Sequence, residues 1–128
     1  MNESPIILYV EDNAENRLLV QRVLFADGFR VIEAQDAEQA LAIIAEKRPD
    51  VILMDINMPD MDGYTLTNQI KGMTGMQGVP VIALTANVMR GDRERSYQAG
   101  CDGYIQKPID VDLLPAQINA YLALSNQH

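Results

Sequence analysis

The 128-residue chain has one cysteine, Cys101, one histidine, His128, and no tryptophan. A single cysteine excludes a disulfide framework and points to a reducing compartment, so a cytoplasmic location is expected. One cysteine and one terminal histidine cannot supply the ligand set that zinc favours. Basic charge is also scarce. Ten Lys and Arg stand against eighteen Asp and Glu, a formal net charge of −8 at pH 7. This balance argues against direct binding to nucleic acid or to anionic membranes, both of which need basic patches. No apolar run approaches the roughly 18 residues of a membrane span. The opening "MNESPIILYVEDN" has no basic region before a short apolar run, so it does not read as a signal peptide. Cations and proteins are left as the expected partners.

Apolar residues, in contrast, are plentiful at 48%, enough for one globular domain with a sizeable core. They gather in five short runs: "IILYV" (6–10), "RVIEA" (30–34), "VILMD" (51–55), "PVIALT" (80–85) and "GYIQK" (103–107). The first, third and fourth are almost continuously aliphatic, the pattern of parallel strands buried on both faces. The second is more polar, as an edge strand would be.

Helical spacing fills the intervals. Leu19, Val20, Val23 and Leu24 mark one helix face, with Gly28 as its stop. Asp36 and Gln39 form a capping-box pattern ahead of Ala37, Ala40, Leu41 and Ile44. Leu66 and Ile70 stripe a third helix, and "VMRGDRERSYQAG" reads as a polar fourth one, weakened by Gly91. Leu113, Leu114, Ile118, Tyr121 and Leu122 stripe the fifth, with Pro115 in its first turn. Five βα repeats with right-handed crossovers predict a three-layer α/β domain of the flavodoxin-like class, a parallel sheet of order 2-1-3-4-5 with helices on both faces. The domain is expected over 1–124, with 125–128 as a frayed tail.

In such sheets ligands bind beyond the carboxyl ends of the strands. Those ends carry Glu11 and Asp12, Asp55, Thr85, and Lys107 followed by Pro108. Three carboxylates in one crevice repel each other, and a divalent cation relieves that repulsion. All-oxygen ligands suit Mg²⁺, with Mn²⁺ a possible substitute. A metal beside a carboxylate, a lysine and a hydroxyl is a layout for phosphoryl transfer. In it Asp55 is the nucleophile, Lys107 neutralises developing charge, and Thr85 donates to a phosphoryl oxygen.

These tracts resemble the receiver (response-regulator) domain of two-component signalling. "ILYVEDN", "DVILMDINMPDMDG", "PVIALTA" and "GCDGYIQKP" occur in family order between about Ile6 and Leu122. The resemblance implies that Asp55 accepts phosphate from a histidine kinase or a histidine phosphotransferase. It makes Asp12, Asp55 and the backbone carbonyl of Asn57 the metal ligands, with Glu11 acting through water. Thr85 and Tyr104 become the switch pair, and Lys107–Pro108 a cis bond. Leu18, on the first helix, and Pro108 become docking residues. Asn57 and Asn87 would tune self-dephosphorylation, which is expected to be slow, so the chain is not read as an enzyme in its own right.

Three other readings compete. An Asp-nucleophile phosphatase wants a second acid two residues after the nucleophile, and Asn57 stands there. A flavin carrier wants a phosphate-cradling first loop, whereas "EDNAEN" presents negative charge. A receiver segment of a larger hybrid kinase fits the same motifs. The initial Met and short tail lean toward a stand-alone protein.

Overall fold

The computed structural model describes residues 4–58, 62–86 and 92–125. Strands and helices alternate in the order β1 (Ile6–Val10), α1 (Ala14–Ala26), β2 (Arg30–Ala34), α2 (Ala37–Glu46), β3 (Val51–Asp55), α3 (Gly63–Lys71), β4 (Val81–Thr85), α4 (Asp92–Gln98), β5 (Gly103–Gln106) and α5 (Leu114–Ser125). All pairings are parallel, and the sheet order is β2-β1-β3-β4-β5, as the repeat pattern predicts.

Because successive strand residues face opposite ways, each interior strand feeds two core layers. Ile7, Tyr9, Val51, Leu53, Ile82 and Leu84 pack with Val20 and Leu24 of α1 and with Leu114 and Ile118 of α5. Leu8, Val10, Ile52, Met54, Val81 and Ala83 pack with Ala40 and Ile44 of α2 and with Leu66 and Ile70 of α3. The three interior strands are wholly buried apart from the first residue of β1, while β2 is partly exposed along most of its length, as an edge strand should be.

Helix ends follow local chemistry. Asn13 Oδ1 accepts the Asn16 N–H, and Asp62 Oδ1 accepts the Tyr64 N–H. Asp36 caps α2 through the Gln39 N–H, but the Gln39 side chain reaches back to the Gln35 N–H, so the capping box is offset by one residue. After α1, the Phe29 N–H returns to the Leu24 carbonyl and the Gly28 N–H to Phe25. This is a Schellman closure, and Gly28 takes the positive φ of 93° that it requires.

Four sequence expectations shift. β4 begins at Val81 rather than Pro80, although the Pro80 carbonyl still accepts the Ile52 N–H. β5 ends at Gln106; Lys107 adds one more ladder bond to Thr85 O before Pro108, which has no N–H, ends the pairing. Leu113 is exposed because it lies in the turn before α5 and out of phase with its buried face. Leu19 is half exposed, because only Val20 and Leu24 of α1 are buried. Met58 and Met76 are buried in the core layer under α2 and α3, and Met73 packs against that layer. Gly91 and Asn87 lie outside the described residues.

Candidate functional site

Strand alternation explains why charged groups meet at the carboxyl edge of the sheet. Glu11 continues the Ile7–Tyr9 side of β1, Asp55 the Val51–Leu53 side of β3, and Lys107 the Ile105 side of β5. All three belong to the face covered by α1 and α5. Thr85 continues the Val81–Ala83 side of β4, and Tyr104 packs against that same opposite layer.

Glu11 and Asp55 are each only 2% exposed, whereas Asp12 is at the surface. One carboxylate oxygen from each of Glu11, Asp12 and Asp55 lies within 4.8 Å of the other two. Lys107 Nζ donates to Asp55 Oδ1 at 2.7 Å and stands 3.9 Å from Glu11 Oε1. Among the described residues, Lys107 is thus the side-chain cation paired with Glu11 and Asp55, while Asp12 adds a third carboxylate to the cluster. Burial, and then the neighbouring Asp55, push the Glu11 carboxyl up to about 7, against the pull of the Asn13 N–H and of Lys107. A divalent cation fits this donor set on two counts: the ligands are oxygens, and the negative charge exceeds what Lys107 can offset.

The turn after β3 is tied to the site. The Asn57 N–H donates to Asp55 Oδ1 at 3.0 Å, and Asn57 Oδ1 accepts the Ala86 N–H at 3.3 Å, linking the tips of β3 and β4. Gly63 opens α3 against this tip. A Cβ there would sit 2.8 Å from the Asp55 carbonyl oxygen and 2.9 Å from Ile56 Cα, so the close approach excludes any side chain.

Thr85 is fully buried at the end of β4. Tyr104 is half-buried in β5, in register with Ala83. The Lys107–Pro108 bond is cis, as the resemblance implies. Leu18 is half exposed on α1. Pro108 is exposed and borders a cavity of about 420 Å³ between α1 and the segment after β5. That cavity reaches Glu11 and Lys107 and has Leu19, Val20 and Ile109 on its apolar wall.

Two contributors escaped the sequence reading. The Tyr9 hydroxyl donates to Glu11 Oε1 at 3.1 Å. Burial and the Glu11 carboxylate raise the Tyr9 phenol far above its usual range, so it remains a donor. Arg17 of α1 donates to the Glu11 carbonyl at 2.8 Å and pairs with Glu33 at 3.3 Å. The two-residue spacing of Tyr9 and Glu11 on one strand was the available signal for the first. Nothing local signals the second, which depends on how α1 docks.

Comparison with known proteins agrees with this geometry. Residues 7–119 match the response regulator receiver domain family. The polar-differentiation response regulator DivK of Brucella anthropi is 40% identical over 116 residues, covering 91% of this chain and 94% of DivK. The receiver domain of the sensor histidine kinase PA1611 from Pseudomonas aeruginosa, solved with magnesium coordinated in its active site cleft, is 38% identical. It superposes with a TM-score of 0.85 over 94% of this chain and 98% of its own. The chemotaxis response regulator CheY4 of Vibrio cholerae is 26% identical, with a TM-score of 0.87 over 92% of this chain and 98% of its own.

Proposed function

The chain belongs to the response regulator receiver domain family, and on that premise we propose that it is a Mg²⁺-dependent phosphoacceptor whose phosphorylated residue is Asp55. The observation that carries this reading is the ion pair of 2.7 Å between Lys107 and the buried Asp55, set inside the cluster of three carboxylates. Phosphate comes from a phosphohistidine of a kinase or phosphotransferase. The histidine N–P bond breaks, a carboxylate oxygen of Asp55 forms the new P–O bond, and the imidazole keeps the electron pair.

Asp12 and Asp55 would hold the metal, with the Asn57 carbonyl, and Glu11 would act through water; Mn²⁺ could replace Mg²⁺. When bound, the ion supplies positive charge to the phosphoryl oxygens. Lys107 is freed from Asp55 as the acyl phosphate forms and turns to a phosphoryl oxygen. Thr85 donates to another oxygen from the tip of β4. Its movement draws Tyr104 inward and alters the α4–β5–α5 surface, a local charge change that biases a packed two-state element.

The donor docks over α1 near Leu18 and at Pro108. Turnover is limited to slow self-dephosphorylation, so the chain is a signalling module and not an enzyme in its own right. A cytoplasmic setting suits its one buried cysteine. The identity to the PA1611 receiver keeps open a second context, a receiver segment of a hybrid kinase.

Acetyl phosphate with Mg²⁺ tests the reading. Intact-mass spectrometry should find one base-labile phosphoryl group on the wild type and none on Asp55→Asn. Equal labelling of both proteins would sink it.

A further inference from the structure

Tyr9 is the bulkiest of the fully buried side chains, and the rest of its strand is aliphatic. Its ring fills the core layer under α1 and α5, a task that Phe would perform equally well. The hydroxyl is what Phe lacks, and it ends on Glu11 Oε1. Glu11 is held from several sides. Its other carboxylate oxygen accepts the Asn13 N–H at 3.2 Å, its carbonyl accepts from Arg17, and its N–H donates to Ala34 O. A glutamate has one more side-chain torsion than an aspartate and loses more rotamer freedom when it is fixed. Donors on both oxygens meet that cost before any ion arrives.

We propose that Tyr9 is a positioning residue for the metal site: its hydroxyl fixes the Glu11 carboxylate and thereby sets the affinity for Mg²⁺. The inference rests on the metal reading above. Tyr9 and Glu11 act as a matched pair, because an aspartate at position 11 is shorter by about 1.5 Å and draws back from the hydroxyl. Groups that orient metal-site carboxylates commonly contribute about tenfold or more to metal affinity.

Calorimetric titration of Mg²⁺ alone into four proteins tests the pairing: wild type, Tyr9→Phe, Glu11→Asp and the double variant. Tyr9→Phe should weaken binding about tenfold in the wild-type background and less than about twofold beside Asp at position 11. Equal affinity of wild type and Tyr9→Phe would overturn the proposal. So would an equal loss in both backgrounds, which would assign Tyr9 to packing alone. Mg²⁺ should also shift the ring resonances of Tyr9, assigned among the five tyrosines, in NMR spectra of the wild type. That signal decides the matter even if Tyr9→Phe fails to fold, and its absence would overturn the pairing. If the wild type shows no Mg²⁺ binding at all, the metal reading falls and this inference with it. Binding by wild type that Tyr9→Phe leaves unchanged removes this inference alone.

Discussion

The two edges of the sheet use the same residue type for opposite ends. At the amino edge, Asp50 Oδ2 accepts the Ile6 N–H at 2.7 Å where β1 begins. There too, Asp102 Oδ2 accepts the Val81 N–H at 2.8 Å where β4 begins, and it pairs with Lys71 at 2.9 Å. Each carboxylate satisfies a strand N–H that would otherwise lack a partner, so its charge is matched to donors. At the carboxyl edge, Glu11 and Asp55 are buried beside Asp12 with Lys107 as the neighbouring ammonium. Here the negative charge exceeds its compensation. Carboxylates at the amino edge thus serve the fold, whereas those at the carboxyl edge crowd like charge together in the arrangement that the proposed metal and phosphoryl site requires. The difference arises from backbone polarity: in a parallel sheet the strands all start at one end, where first N–H groups need acceptors, and all finish at the other.

The contrast can be broken first at Gly63. Gly63→Ala drives a methyl group into the Asp55 carbonyl and Ile56, so it should cost about 3 kcal/mol of stability and displace the site. Urea unfolding and acetyl phosphate labelling should both register it. Next comes the opposed pair. Asp102→Ala leaves the Val81 N–H and Lys71 without their shared acceptor and should cost about 2 kcal/mol in urea unfolding, with or without Mg²⁺. Asp55→Asn should instead leave the metal-free protein at least as stable as wild type while removing most of the stabilisation by Mg²⁺. A loss of stability in EDTA as large as that of Asp102→Ala would erase the distinction between the edges.

A pH series sharpens the same point. The folded-state Glu11 carboxyl is raised from 4.5 to about 7 by burial and by Asp55. Between those values the folded protein holds a proton that the unfolded chain has released. Metal-free stability should therefore be greatest below about pH 4.5 as far as Glu11 is concerned, and fall as pH rises toward 7. Saturating Mg²⁺ should flatten that fall, because the ion competes with the proton. Urea midpoints at each pH, in EDTA and in Mg²⁺, would measure both slopes. The smallest effect is expected at Asp50→Asn, which keeps an acceptor for the Ile6 N–H and should cost about 0.5–1 kcal/mol.

Much of this molecule is legible without coordinates. The aliphatic runs of β1, β3 and β4 announce strands buried on both sides, and Gly28 announces the end of α1, because burial and positive φ restrict which residues are tolerated. Boundaries were less legible. Lys107 continues the ladder although it lies past β5, and Leu19 shares a helical stripe with Val20 yet remains half exposed. Such details depend on the neighbours that each element meets, which spacing alone does not encode.

The site divides in the same way. The order of residues already determined that acids, a threonine and a lysine end successive strands, since period-two alternation and parallel crossovers leave those tips on one edge. Only the tertiary structure decided that Tyr9 holds Glu11, that Arg17 grips its carbonyl, and that Gly63 must be bare beside Asp55. Those contacts depend on distances of a few ångströms between packed elements. Periodicity can say which face a residue takes, but side-chain reach and backbone approach are set by the packing of the whole domain.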